Sequence, residues 1–185
     1  CQKMAIQTDV DISIGETTID DYLNLTLTQQ VLMPHHLYIT IRKDLLDKDK
    51  IETLIGKPIK LSINSLLKKD EKTEFSGIVY ELKTSRSNQN SGDLVQIHAT
   101  SPEVSMADIQ NFRSFEDISL NRIVETIFTD YNIKHTDISQ SADTQLKYTV
   151  QFNETAFDFI RRLAIRHGQW FLYDGGTLRF GALPK

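Results

Sequence analysis

The chain has 185 residues, 39% hydrophobic and 25% charged, enough to bury a sizeable core and far from the composition of a disordered polymer. Its net charge of -4 argues against a nucleic-acid binder, which would carry a basic face. No apolar run approaches the roughly 18 residues a membrane helix needs, and the single cysteine, Cys1, rules out an internal disulfide.

The start, CQKMAIQTDV, lacks the apolar stretch of a signal peptide. Cys1 admits two readings: the lipidated cysteine of a processed lipoprotein, or a fragment boundary. Strand patterning follows. Residues 10–15 (VDISIG) alternate apolar and polar, and so do residues 22–28 (YLNLTLT), with Leu23, Leu25 and Leu27 on one side. Residues 36–42, 57–63, 74–83 and 93–99 continue the pattern. Residues 45–56 (LLDKDKIETLIG) predict a short surface helix stopped by Gly56. The spacers LLKKDEK and TSRSNQNSG are turn chemistry. Short, regular strands of this kind predict a small antiparallel barrel or sandwich over residues 1–101.

The period changes after Pro102. In SLNRIVETIFTDYN, Leu120, Ile123, Val124, Ile127, Phe128 and Tyr131 make one apolar helical stripe, with Ser119 as N-cap and Asn132 as stop. This predicts a helix near 119–131. Residues 148–152 (YTVQF) predict a strand with Tyr148, Val150 and Phe152 on one face. A helix near 154–167 follows, with Asn153 as its cap and Glu154 in the first turn, where the dipole favours negative charge. Asp158 and Arg162 have the spacing of a surface ion pair, and Gly168 suits a left-handed stop. Residues 169–181 predict a hairpin turning at Asp174-Gly175-Gly176. The fold class is therefore α+β: a small antiparallel barrel, then an α+β domain over 102–185 with two helices and a C-terminal hairpin.

Residue chemistry points away from catalysis. His35 and His36 are adjacent, so in a strand they face opposite ways and do not chelate together. His98, His135 and His167 stand alone in the sequence. No G-x-S-x-G elbow, S-x-x-K, H-E-x-x-H, P-loop or dinucleotide fingerprint occurs. Asp20-Asp21 and Glu116-Asp117 are neighbours in sequence, which is not the cross-cleft pairing of a glycosidase; Asp117 reads as part of a turn before the first helix. The glycosylation sequons at Asn24 and Asn153 are weak signals. In residues 148–176 each polar side chain has a local structural job, so this stretch reads as framework. No catalytic, cofactor-binding or metal-binding residue is expected.

A succession of motifs runs along the chain. Y-x-V-Q-(F/Y)-x-E-(S/T) falls on Tyr148, Val150, Gln151, Phe152, Glu154 and Thr155. F-(I/L)-x-R-L falls on Phe159, Ile160, Arg162 and Leu163. Gly168, Trp170, Phe171, Gly176, Leu178, Phe180 and Gly181 follow in order. Upstream, FSGIVYELK from Phe75 fits an F-x-G-(I/V)-V strand, and FRSFEDISLNRIVETIFTDYN fits an F-x-D-x-(S/T)-x-x-x-I-V helix. This order of motifs resembles the VgrG proteins, the spike hubs of type VI secretion systems, and the late-control protein D group of contractile phage tails.

The resemblance implies a homotrimer in which two similar barrels per protomer present pseudo-sixfold symmetry to a hexameric, Hcp-like tube ring. It implies an α/β domain inserted in the barrel region, baseplate and effector partners, and no small-molecule substrate or cofactor. It implies assembly in the bacterial cytoplasm, then delivery through the machine to the outside or into a target cell. The second barrel, the OB-like domain and the valine-glycine-rich spike of such hubs are not in this sequence. Two other readings stay open: a lipid-anchored or secreted small binding module, motivated by Cys1 and the aromatic residues Trp170, Phe171 and Tyr173, and a hydrolase, for which no constellation is visible.

Overall fold

The computed structural model describes residues 8–45, 51–65, 72–85, 93–139 and 143–182. Most of the spacers LLKKDEK and TSRSNQNSG, the middle of the 45–56 segment, and Cys1 lie outside the described residues. The chain divides into two compact units: Cys1–Thr28 with His35–Ser101, and Gln29–Pro34 with Pro102–Lys185.

Seven strands make the first unit: β1 (Thr8–Ile14), β2 (Thr17–Thr18), β3 (Asn24–Thr28), β4 (His36–Arg42), β5 (Pro58–Ser65), β6 (Lys72–Ser85) and β7 (Leu94–Thr100). They form one curled antiparallel sheet in the order β2-β1-β5-β6-β7-β4-β3. Period-two alternation sends one set of side chains to a common face, where strand register lines them up in rows. Ile12 faces Leu61, which faces Phe75. Leu27, Leu37, Ala99 and Val79 make a second row, and Leu25, Ile39, Ile97 and Leu82 a third. Apart from Leu25, Leu27 and Leu82 these side chains are buried, each stabilising the fold by about 1.5–3 kcal/mol where it is a full Leu, Ile, Val or Phe.

Of the expected barrel the structure shows a curled antiparallel sheet, a half-barrel. Its outermost strands, β2 and β3, do not pair with each other, so no ring of hydrogen bonds closes among the described residues. A bulge between Val79 and Glu81 resets the register of β6 on β7 and adds local twist. No α-helix forms among the described residues of the segment 45–56; residues 46–50 lie outside them. The described residues instead form short 3₁₀ turns at Lys43–Leu45 and Glu52–Leu54, and Gly56, at φ +77°, leads the chain into β5.

The second unit holds β8 (Gln110–Ser119), α1 (Leu120–Asp130), β9 (Thr136–Ile138), β10 (Gln145–Thr155), α2 (Ala156–Arg166), β11 (Trp170–Tyr173) and β12 (Leu178–Gly181). β8 and β10 form an antiparallel ribbon; β11, β12 and β9 form a small mixed sheet with β9 parallel to β12. Helix α1 buries the predicted stripe of Leu120, Ile123, Val124, Ile127 and Phe128. The Ser119 hydroxyl accepts from the Arg122 backbone N–H, and Asn132 stops the helix at φ +54°.

Three details differ from the sequence reading. Asp117 lies inside β8, at φ +45°, rather than in a turn. Thr155, not Asn153, caps α2: its Oγ1 accepts from the Asp158 N–H at 3.0 Å, while Asn153 sits at φ +51° where β10 bulges between Phe152 and Glu154. Strands β8 and β9 were not foreseen. In β8 the two phenylalanines, Phe112 and Phe115, stand on opposite faces, which erases the one-sided alternation that marks a strand.

Candidate functional site

The family-like motif of β10 and α2 proves to be a brace. Gln151 is fully buried and its Nε2 donates to the Glu154 carbonyl at 2.9 Å. The Glu154 carboxylate accepts from Arg162 Nε at 3.1 Å and from Nη2, which also donates to the Val150 carbonyl at 2.8 Å. This two-pronged contact replaces the expected Asp158–Arg162 pair; Asp158 instead meets Arg161 at 2.7 Å. The hydrogen bond to Glu154 raises the Arg162 pKa against partial burial, and the attraction of the Glu154 charge adds to it. Arg162 also lies over the Phe159 ring, 5.2 Å from its centroid, and Phe159 stacks on Phe115 at 5.8 Å. Thr155 caps the helix, Gly168 ends it at φ +63°, and Leu178 and Phe180 enter the core. Every one of these residues serves strand, helix or junction.

The hairpin closes by similar means. Asp174 Oδ1 accepts from the backbone N–H groups of Gly176 and Thr177, and its other oxygen meets Arg179. Burial pushes the Asp174 carboxyl up, but the Thr177 N–H, Arg179 and the Gly176 N–H outweigh it and hold the pKa below the usual carboxylate range. Arg179 also contacts Asp137 of β9. Of the aromatics that raised the binding-module reading, Phe171 and Tyr173 are buried and only Trp170 reaches solvent.

The titratable candidates separate. His135 is exposed and its carbonyl accepts from Leu178 N–H. His167 is the C-cap of α2; burial first, then Arg166, lowers its pKa. Asp21 pairs with Arg42 at 3.3 Å, and Arg42 also reaches Asp44 at 3.9 Å, while Glu116 and Asp117 are both exposed. Asn24 and Asn153 are exposed. His35 is buried with its N–H on Ser101 Oγ, and His36 points to the other side of the strand, as adjacency dictates. The reading of His98 as solitary is overturned: strand pairing brings its Nε2 to 3.2 Å from His36 Nδ1. Among the described residues no group of three or more His, Cys, Asp and Glu could hold a metal ion.

Two surfaces remain once the framework is subtracted. On the first unit, the sheet face opposite the core carries His36, Tyr38, Tyr80 and His98. Tyr38 stacks on His98 with centroids 4.4 Å apart, and Tyr80 meets His98 edge-on at 5.8 Å. A groove of about 200 Å³ lies beside them, bordered by Asn24, Thr40, Glu81, Lys83 and Gln96. On the second unit, one face of the β8–β10 ribbon is bare. Phe112 opposes Phe152, and the rings meet at right angles with centroids 5.2 Å apart. They are 65% and 73% exposed, with Tyr148 on the same face at 63%. Alternation had placed Tyr148, Val150 and Phe152 together. It could not say that their common face is the outward one. The Phe112, Phe152 and Tyr148 face has the exposed apolar character of a partner-binding surface.

Comparison with known proteins matches residues 33–181 to the family model described as phage tail baseplate hub (GPD). No curated protein matches the chain. Among solved structures, the 43 kDa tail protein of prophage MuSo2 from Shewanella oneidensis aligns at 15% identity and TM-score 0.71, over 96% of this chain and 54% of that one. The tail protein from Neisseria meningitidis MC58 aligns at 12% identity and TM-score 0.73, over 96% of this chain and 51% of that one. The Escherichia coli c3393 protein is described as a component of the type VI secretion system with structural similarity to T4 bacteriophage tail proteins gp27 and gp5. It aligns at 13% identity and TM-score 0.65, over 91% of this chain and 48% of that one. At these identities the likeness is one of fold, and the chain spans about half the length of the solved tail proteins.

Proposed function

The chain belongs to the phage tail baseplate hub (GPD) family, and on that premise we propose that it works as a structural hub of a contractile injection machine, by assembly and not by turnover. The observation that carries this reading is the family match, which runs through strands of the first unit and all of the elements of the second. In the fuller form of the proposal, three copies of the complete protein join. They dock a hexameric Hcp-like tube, connect to baseplate components, and carry a puncturing spike with any effector cargo. The exposed Phe112, Phe152 and Tyr148 face is then one contact between neighbouring copies, since an aromatic patch with polar surroundings is the composition of an interface core. Assembly takes place in the cytoplasm of a bacterium, and the machine delivers the hub outward.

The test is co-expression of the complete reading frame with its tube protein, followed by light scattering and affinity capture. Trimer mass and capture of the tube ring are expected. A product that stays monomeric at assembly concentrations and never co-purifies with a tube ring overturns the proposal. The secretion form and the prophage-tail form of the role differ in the tube they capture, so the identity of the captured ring decides between them. The relatives argue for both, two being tail proteins and one a secretion component.

A further inference from the structure

We propose that His36 and His98 form a two-imidazole binding site for a divalent transition-metal ion of the zinc and nickel class, on the face of the curled sheet opposite its core. The argument begins with two atoms. His36 Nδ1 and His98 Nε2 are 3.2 Å apart and both are half-buried, so solvent ions reach them. Two metal–nitrogen bonds of about 2.0–2.1 Å, opened to a tetrahedral angle, set their nitrogens roughly 3.3 Å apart. The pair therefore already has the bite of a chelate, and binding needs almost no movement of either strand.

Sequence separates the two rings by 62 positions; the sheet joins them. β4 and β7 are neighbours in register, with Tyr38 opposite His98 and His36 opposite Thr100, so the two histidines stand diagonally on one face. Their rings are held in place. Tyr38 stacks on His98 with an interplanar angle of 10°, and Tyr80 closes the far edge. Ordered rings lose little freedom on binding, which is how a short ligand set gains affinity.

The electrostatics agree. Of the charged groups on the neighbouring strand β6, Glu81 lies opposite His98 and favours a cation, while Lys83 pairs with Glu81 at 2.9 Å. Without metal, one ring nitrogen donates a hydrogen bond to the other. With metal, His36 carries its hydrogen on Nε2 and His98 on Nδ1, and the rings turn so that the two freed lone pairs converge on an ion lying off the line between the nitrogens. No third protein ligand joins them among the described residues, so the remaining positions go to water or to a side chain of a docked partner.

The experiment uses the untagged 185-residue chain with Cys1 alkylated, titrated with Zn²⁺ and separately with Ni²⁺ by calorimetry at pH 7.5 and pH 5.5. One ion per chain is expected, bound at least tenfold more weakly at the lower pH. His36→Ala and His98→Ala each weaken binding at least tenfold, and the His135→Ala/His167→Ala double variant leaves it unchanged. Imidazole NMR of the unaltered protein gives a readout independent of how the variants fold: Zn²⁺ shifts the His36 and His98 ring signals first. No saturable ion, an affinity insensitive to His36 and His98, or first shifts at other histidines each overturn the proposal. None of these outcomes bears on the hub reading, which rests on the family match.

Discussion

Thr155 holds the junction between β10 and α2 with one hydroxyl, which accepts from the Asp158 N–H and donates to the Asp158 carboxylate. Thr155→Ala is expected to lower unfolding free energy by about 1 kcal/mol, with Thr155→Ser restoring most of it, by urea denaturation. Gly77 is constrained in a different way. A Cβ there would sit 2.5 Å from the Thr100 carbonyl oxygen and 2.6 Å from the Phe75 ring. Backbone and a fully buried ring cannot give way cheaply, so Gly77→Ala is expected to cost on the order of 1–3 kcal/mol in the same assay. This is the physical content of the F-x-G motif. His98 supplies a pH dependence. Its folded pKa is lowered, so below the ordinary value of about 6.5 the unfolded chain binds the proton more readily than the fold does. Stability is unaffected well above that pH and falls as pH drops through it. The melting temperature is therefore expected to fall between pH 7.5 and 5.5, and His98→Gln to reduce the fall.

At the scale of elements, the β8–β10 ribbon has two faces with opposite duties. Phe115, Thr149 and Gln151 face inward, with Phe115 stacking on Phe159 of α2. Phe112, Phe152 and Tyr148 face out. Arg162 ties the helix back to the ribbon through Glu154 and Val150. Exposed rings add little to the stability of the isolated chain beyond their mutual contact, worth about 0.5–1.5 kcal/mol. The Phe112→Ser/Phe152→Ser variant is therefore expected to melt within a few degrees of the parent, while in the complete protein it weakens self-association at least tenfold by sedimentation. A variant that leaves association untouched removes this face from the proposed assembly.

At the scale of the whole molecule, the division of the chain is not a single cut. Gln29–Pro34, the loop between β3 and β4, packs with residues from Pro102 onward. Leu32 and Met33 line the same small hollow as Phe157, Phe171 and Leu178, and Arg161 Nη1 approaches Met33 Sδ at 3.8 Å. A fragment of residues 102–185 therefore lacks part of its own cover. It is expected to unfold at lower urea concentration than the same residues do in the whole chain, followed by Trp170 fluorescence.

The sequence by itself determined which residues are strand and helix wherever one period ruled. The strands at 36–42 and 74–83, the stripe of α1, the hairpin at Asp174, and the stops at Asn132 and Gly168 were legible because periodicity and capping are local. The framework role of the Gln151–Glu154–Arg162 motif was legible for the same reason, although its actual ion pairs were not. β8 and β9 were hidden because strand identity there depends on a partner and not on a pattern. Only the tertiary structure decided that the sheet curls with β2 and β3 as its outermost strands. It alone decided that the Phe112–Phe152 face looks outward and that His36 meets His98 across 62 residues. Alternation assigns side chains to the same face; it carries no information on which face finds a neighbour, because register and burial are set by contacts between segments distant in sequence.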